Sequence, residues 1–192
     1  MGKPPRPERD LPAYFHRLTP RFQQAYLKSD ATAKFEPLPD AIAIQYAQEL
    51  VAVLEKGRIA DIERAAGALV AELCRVYAVR PVKVTVKGVR PHNARGELHG
   101  LFKVQRPPEI VLWMKTAQRH DVVKPRTFIR TLLHEVCHYF DYVVLELDDS
   151  FHTMGFFKRE SFLTRALMGT GGKDEHPVKS QPIDPVKQPR ML

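Results

Sequence analysis

The chain has 192 residues, of which 44% are hydrophobic, and its formal charge is +8 from 30 Lys and Arg against 22 Asp and Glu. This composition suits one globular domain with tails and excludes a collagen-like or wholly disordered chain. No apolar run approaches the roughly 20 residues of a membrane span, and the N-terminal sequence lacks a secretory signal, so we expect a cytoplasmic protein. Cys74 and Cys137 lie in apolar helical patterns, which predicts core residues and no disulfide.

Segments rich in proline and poor in apolar residues flank the predicted domain. We therefore predict a disordered arm over 1–10, a single domain over 11–168 with its core at about 59–168, and a disordered proline-rich tail over 169–192.

Apolar residues at helical spacing predict three helices in the first part of the domain, over about 11–28, 41–56 and 59–78. Asp40 is the expected N-cap of the second helix, and Gly57 is expected to end it.

The hydrophobic period then changes to two, which predicts three strands over about 82–86, 97–104 and 109–114. Gly96 and Gly100 suggest places where the backbone passes close to another part of the chain.

Much of the positive charge lies beside this sheet, since residues 81–130 contain 11 Lys and Arg against 3 Asp and Glu. Such a segment can bind nucleic acid phosphates or an acidic protein, or it can be a solvated basic surface. The candidates for contact with DNA are Lys83, Lys87, Arg90 and Arg95.

The next predicted helix, over 127–147 with Thr127 as its cap, contains the pattern H-E-x-x-H at His134, Glu135 and His138. Histidines four residues apart lie on one face of a helix, where both bind one zinc ion, and Glu135 is then placed as general base and acid. Alternatively, both histidines are hydrogen-bonded core residues and Glu135 lies on a solvated face.

A catalytic zinc requires a third protein ligand. His152, near the start of a last helix over 151–168 that Ser150 is expected to cap, is the first candidate. Glu160 competes with it, and Asp148 and Asp149 are weaker candidates because they lie in a predicted turn.

Other polar residues near the motif have supporting roles in this interpretation. Asp141 is a candidate to orient a ligand histidine from behind. Tyr139, Tyr142 and His99 are available to stabilise an oxyanion, but the sequence does not favour any of them.

The runs TLLHEVCHYFD and FHTMGFFKR resemble the SprT-like (Spartan-related) zinc metalloproteases, in which a third histidine follows in an H-x-x-x-F context. Here that context is His152 to Phe156, although the family's usual H-G-P-x-F is not kept at its second and third positions. Upstream, VKVTVKGVRPHNARGELHGLFK and PEIVLWMK are similar to the strands that precede the metal helix in the family. The resemblance covers about 59–168.

The resemblance implies an α+β fold, a single zincin-like domain with helices packed on a small three-stranded sheet. It also implies a peptide substrate lying along the edge strand next to the metal, for which the candidate is 109–114. The cysteine-rich zinc ribbon of some family members is lacking, so DNA binding would depend on the basic segment.

We therefore predict a zinc metalloendopeptidase with one catalytic Zn²⁺ bound by His134, His138 and His152, with DNA-associated proteins as candidate substrates. The alternative is a non-catalytic zinc module that binds nucleic acid or regulates a partner. A third hypothesis is a peptidase for one regulatory protein, which a metal bound by Glu160 would favour.

Overall fold

The computed structural model describes residues 11–93, 96–118 and 121–169. Within them the chain has an α+β fold of five helices packed on a small mixed sheet, which confirms the predicted class. The helices are α1 (Pro20–Ala31), α2 (Ala41–Lys56), α3 (Ile59–Val76), α4 (Pro125–Val143) and α5 (Met154–Met168), with a short 3-10 helix at Phe15–Arg17. The predicted arm, and the tail from residue 170 onward, lie outside the described residues.

Three strands form the sheet: β1 (Lys83–Val89), β4 (Gly100–Lys103) and β5 (Glu109–Lys115), in the order β1-β5-β4. β1 runs parallel to β5 and β4 antiparallel to it. Two shorter strands, β2 (His92–Asn93) and β3 (Gly96–Glu97), form a separate antiparallel ladder.

The prediction that 109–114 is an edge strand is wrong, because β5 lies in the centre of the sheet with a partner on each side. Residues 110–114 are all buried, as is typical of a strand that is covered on both faces. The edge strand that packs against α4 is β4.

Several helix ends follow the sequence signals. The backbone N–H of Ala43 donates to the carboxylate of Asp40 at 2.9 Å, so Asp40 is the N-cap of α2 as predicted. Gly57 ends that helix with φ at 69°, a left-handed conformation that glycine adopts without strain.

Two predicted caps are wrong. Helix α4 begins at Pro125, before Thr127, because the fixed φ of proline suits the first helical turn. Helix α5 is capped by Thr153, which accepts from the backbone N–H of Phe156 at 3.0 Å. Ser150 does not cap α5, because its hydroxyl is bonded to His138 and Asp141.

The main hydrophobic core joins α2, α3, α4 and α5 to one face of the sheet. Cys74 and Cys137 are buried in it as free thiols, as the sequence predicts. A smaller cluster holds α1 against the segment before α5, through contacts of Tyr26 with Phe15 and Phe151. None of the helices in the described residues has the length and apolar character needed to cross a lipid bilayer.

Candidate metal centre

Three histidine side chains converge where α4 meets the segment before α5. His134 and His138 lie one turn apart on α4, with ring centroids separated by 4.9 Å. Nε2 of His152 lies 2.9 Å from Nε2 of His134 and 3.0 Å from Nε2 of His138. The three residues are therefore close enough to bind one metal ion.

Aromatic side chains of α5 hold this arrangement in place. The ring of Phe156, which is fully buried, lies 4.7–5.0 Å from all three imidazoles, and the ring of Phe157 stacks on His152. Because α5 begins directly after His152, the packing of Phe156 in the core also positions that imidazole.

The protonation of the histidines fits a cation at the centre of the cluster. Nδ1 of His134 lies 2.9 Å from a carboxylate oxygen of Glu160, so Nδ1 is the donor, and in the neutral ring the lone pair is on Nε2. If Nε2 of His152 carries a proton, it can donate a hydrogen bond to only one of the two Nε2 atoms that lie close to it. A metal ion with affinity for neutral imidazole satisfies all three nitrogens at once.

The charge states of two histidines agree with this fit. Burial lowers the pKa of His138 well below its ordinary value, and the neighbouring His134 and His152 add to the effect. Burial also lowers the pKa of His152, to about 4. Both are therefore neutral near pH 7, which is the form that binds metals.

Glu160, the competing third ligand, lies behind His134 and outside the group of possible ligands among the described residues. One carboxylate oxygen bonds Nδ1 of His134, and the other accepts from Nε of Arg130 at 2.6 Å. Although burial opposes it, these two partners lower the pKa of Glu160. Burial also opposes the shift at His134, but the hydrogen bond to Glu160 and the charges of Glu135 and Glu160 raise the pKa of that imidazole. Glu160 thus orients His134 in the way that carboxylates orient metal-binding histidines.

The weaker ligand candidates have other partners. Asp148 forms an ion pair with Arg21, and Asp149 accepts from the hydroxyl of Tyr142 at 3.0 Å and from the backbone N–H of Ser150 at 2.8 Å.

Glu135 is buried between α4 and the edge strand β4, not on a solvated face. Burial raises the pKa of its carboxyl group, while a hydrogen bond from the backbone N–H of Phe102 opposes that rise. A Cβ atom at Gly100 would lie 2.7 Å from Oε1 of Glu135, so a side chain there would force Glu135 to move. This confirms the close backbone approach that was predicted at Gly100.

Two of the predicted oxyanion candidates, Tyr139 and Tyr142, have hydroxyl partners other than the histidines among the described residues. The hydroxyl of Tyr139 donates to the carbonyl of Arg80 at 2.6 Å, and that of Tyr142 donates to Asp149. These hydroxyls hold loops in place.

The predicted DNA-contacting residues are partly engaged elsewhere. Lys83 pairs with Glu109 at 3.4 Å, and the ammonium group of Lys87 lies over the ring of Trp113. Arg90 is only 6% exposed and pairs with Glu97, so little of its guanidinium is open to a phosphate group in this conformation. Arg95 lies outside the described residues.

Asp141, the candidate to orient a histidine, is connected to His138 through a residue that the sequence did not reveal. One oxygen of Asp141 accepts from Ser150, whose Oγ lies 2.8 Å from Nδ1 of His138, and the other accepts from Arg159. Arg159 follows Phe156 and precedes Leu163 on the apolar face of α5. A charged residue at such a position was the available signal that a buried partner exists.

Comparison of the chain with protein-family models, curated proteins and solved structures finds no match.

Proposed function

We propose that this protein is a zinc-dependent metallopeptidase, related to the SprT-like group that its sequence resembles, in which His134, His138 and His152 hold the metal. The observation that carries the proposal is a buried carboxyl group, Glu135, next in sequence to His134, one of three imidazoles that converge from α4 and the segment before α5. Three histidine ligands with a fourth position left for water or substrate are a typical catalytic zinc set.

When bound, zinc would supply Lewis-acid chemistry, which polarises a carbonyl and makes water acidic enough to react near neutral pH. The chain supplies the proton transfers. Glu135 accepts the proton of the attacking water and returns it to the leaving amine of the peptide. Its raised pKa suits the first step, because a carboxylate of higher pKa is a stronger base toward the proton of the water.

The backbone N–H of Phe102 orients Glu135 for this work, because it fixes the carboxylate against β4. The same strand is an edge of the sheet, so we propose β4, in place of β5, as the strand along which an extended peptide pairs. Backbone pairing of this kind tolerates many side chains. The expected substrates are therefore unfolded or flexible segments, with no narrow sequence requirement.

The test is zinc stoichiometry together with cleavage of a labelled, denatured protein, for the wild type and for Glu135→Gln. The variant should keep one zinc per chain and lose at least about 100-fold in rate, which is the scale of general acid–base catalysis. Glu49→Gln, on the exposed face of α2, is a matched control that should cleave like the wild type. Stoichiometric zinc without Glu135-dependent cleavage would replace the proposal with a non-catalytic zinc module.

The same cleavage reaction with added single-stranded DNA tests whether DNA is a partner of this protein. Stimulation that weakens as salt rises would point to the basic segment and to DNA-associated substrates. Cleavage that is indifferent to DNA would restrict the proposal to a general peptidase.

A further inference from the structure

A buried chain of hydrogen bonds leads from one metal ligand to the end of α1. Nδ1 of His138 lies 2.8 Å from Oγ of Ser150, and that hydroxyl lies 2.7 Å from Oδ2 of Asp141. Oδ1 of Asp141 accepts from Nη2 of Arg159 at 2.7 Å, with both side chains fully buried.

The donors and acceptors allow one direction of hydrogen bonding along this chain. Arg159 only donates, and Asp141, ionised opposite the guanidinium, only accepts. The single proton of the Ser150 hydroxyl therefore goes to Asp141. Its oxygen must then accept from His138, which places the imidazole proton on Nδ1.

We propose that Arg159, Asp141 and Ser150 are positioning residues that lock His138 in the tautomer with its proton on Nδ1, so that Nε2 stays free for the metal. A histidine in the other tautomer presents an N–H group to the metal position and does not bind. The chain acts through His138 and touches no substrate.

The far end of this chain is anchored on α1. Nη1 of Arg159 donates to the carbonyls of Ser29 at 2.7 Å and Thr32 at 2.5 Å, and Nη2 donates to Oγ of Ser29 at 3.0 Å. Carbonyls in the last turn of a helix lack partners within the helix. Arg159 donates the missing hydrogen bonds to these carbonyls. The same bonds fix the position of the guanidinium that orients Asp141.

This inference rests on the metal site of the proposed function but not on peptidase activity. A protein that binds zinc but cleaves no peptide would therefore not contradict it. The measurements that test it are zinc affinity and the tautomer of His138.

The decisive variant is Asp141→Asn. An amide offers one acceptor oxygen and one donor NH₂. Arg159 takes the oxygen, so the NH₂ group faces Ser150 and donates to its hydroxyl, whose proton then turns toward His138. The expected result is His138 protonated on Nε2 and zinc affinity lower by about 100-fold, the upper end for the loss of a supporting partner.

Ser150→Ala is the matched variant, because it frees Nδ1 without imposing the wrong tautomer. Zinc affinity should fall by only about 10-fold. In the double variant the extra loss from Asp141→Asn should disappear, since Ser150 is needed to transmit it. Ser150→Thr keeps the hydroxyl and should keep the wild-type affinity.

Two readouts decide the outcome: zinc affinity by competition with a chelator, and the protonated ring nitrogen of His138 by long-range ¹H–¹⁵N NMR on the metal-free protein. The wild type should show Nδ1–H and Asp141→Asn should show Nε2–H. A wild-type Nε2–H, or losses that simply add in the double variant, would overturn the proposal. If Asp141→Asn does not fold, equal zinc affinities for Ser150→Ala and Ser150→Thr would overturn it instead.

Discussion

Replacing Gly155 by alanine tests whether the close contact between α5 and α1 holds the metal site together. A Cβ atom at this position would lie 2.1 Å from the carbonyl oxygen of Ser29 and 2.6 Å from that of Asp30. Both atoms belong to the backbone of α1, so no side chain can rotate away. The two helices must separate by roughly 1 Å to admit the methyl group.

The magnitude follows from what this separation disrupts. Overpacking of this kind costs about 1–3 kcal/mol. The hydrogen bonds from Arg159 to the carbonyls of α1 weaken as well, at about 1 kcal/mol each. A total of about 3–5 kcal/mol corresponds to a melting temperature lower by about 6–20 °C in a domain of this size.

The effect should also reach the metal, because His152 lies three residues before Gly155. The assay is thermal unfolding in the presence of a chelator, followed by zinc affinity by competition. Gly67→Ala is the matched control: it makes the same change within α3, where a new Cβ atom meets nothing within 4 Å. That variant should be more stable by about 0.5–1 kcal/mol. A Gly155→Ala protein that melts with the wild type would refute the reasoning.

Three further predictions concern single side chains. Gly100→Ala should displace Glu135 and lower cleavage by about 100-fold while one zinc per chain is retained, as measured by metal analysis. Glu160→Gln should lower zinc affinity by about 10-fold in chelator competition, because the variant no longer presents a carboxylate to the histidine. Hydrogen bonds, the largest from Lys103, lower the pKa of Glu109 to about 2. Its ionised carboxylate therefore stabilises the fold above the unfolded pKa near 4.5, and this stabilisation is lost as the pH falls toward 2. Screening limits this effect to about 1 kcal/mol, which Glu109→Gln should remove from the pH dependence of urea unfolding.

Each of these predictions has a result that contradicts it. Full cleavage by Gly100→Ala would show that Glu135 is not confined by β4. If Glu160→Gln binds zinc as tightly as the wild type, the carboxylate of Glu160 is not needed to orient His134. Parallel stability curves for the wild type and Glu109→Gln between pH 5 and about pH 2 would remove Glu109 as a source of acid sensitivity.

The parts of the structure that depend on neighbours in sequence could be predicted. Asp40 and Gly57 mark the ends of α2 because capping involves only a few adjacent residues. His134 and His138 meet because one helical turn separates them. Each of these features follows from local geometry, whatever the rest of the chain does.

The position of β5 in the sheet could not be predicted in this way. Strand order depends on pairing between distant segments, and the separation of β1 from β5 along the chain does not show that they become neighbours. The signal was present in the apolar run IVLWM, which fits a strand buried on both faces better than an edge. The prediction of an edge strand came from the family resemblance, whereas the apolar run by itself favours a central strand.

The buried pair of Arg159 and Asp141 is better explained by orientation than by stability. Both side chains are fully buried, and taking two charges out of water costs several kcal/mol per ion, which their attraction repays only with good geometry and further hydrogen bonds. The further bonds are present: Arg159 donates to Ser29 and Thr32, and Asp141 accepts from Ser150. An apolar pair of similar volume would fill the same space without that desolvation cost, but it would present nothing to Ser150. What the charges add is a fixed direction of hydrogen bonding that ends at a metal ligand. Through it α1, about a hundred residues before His138, helps to orient that histidine.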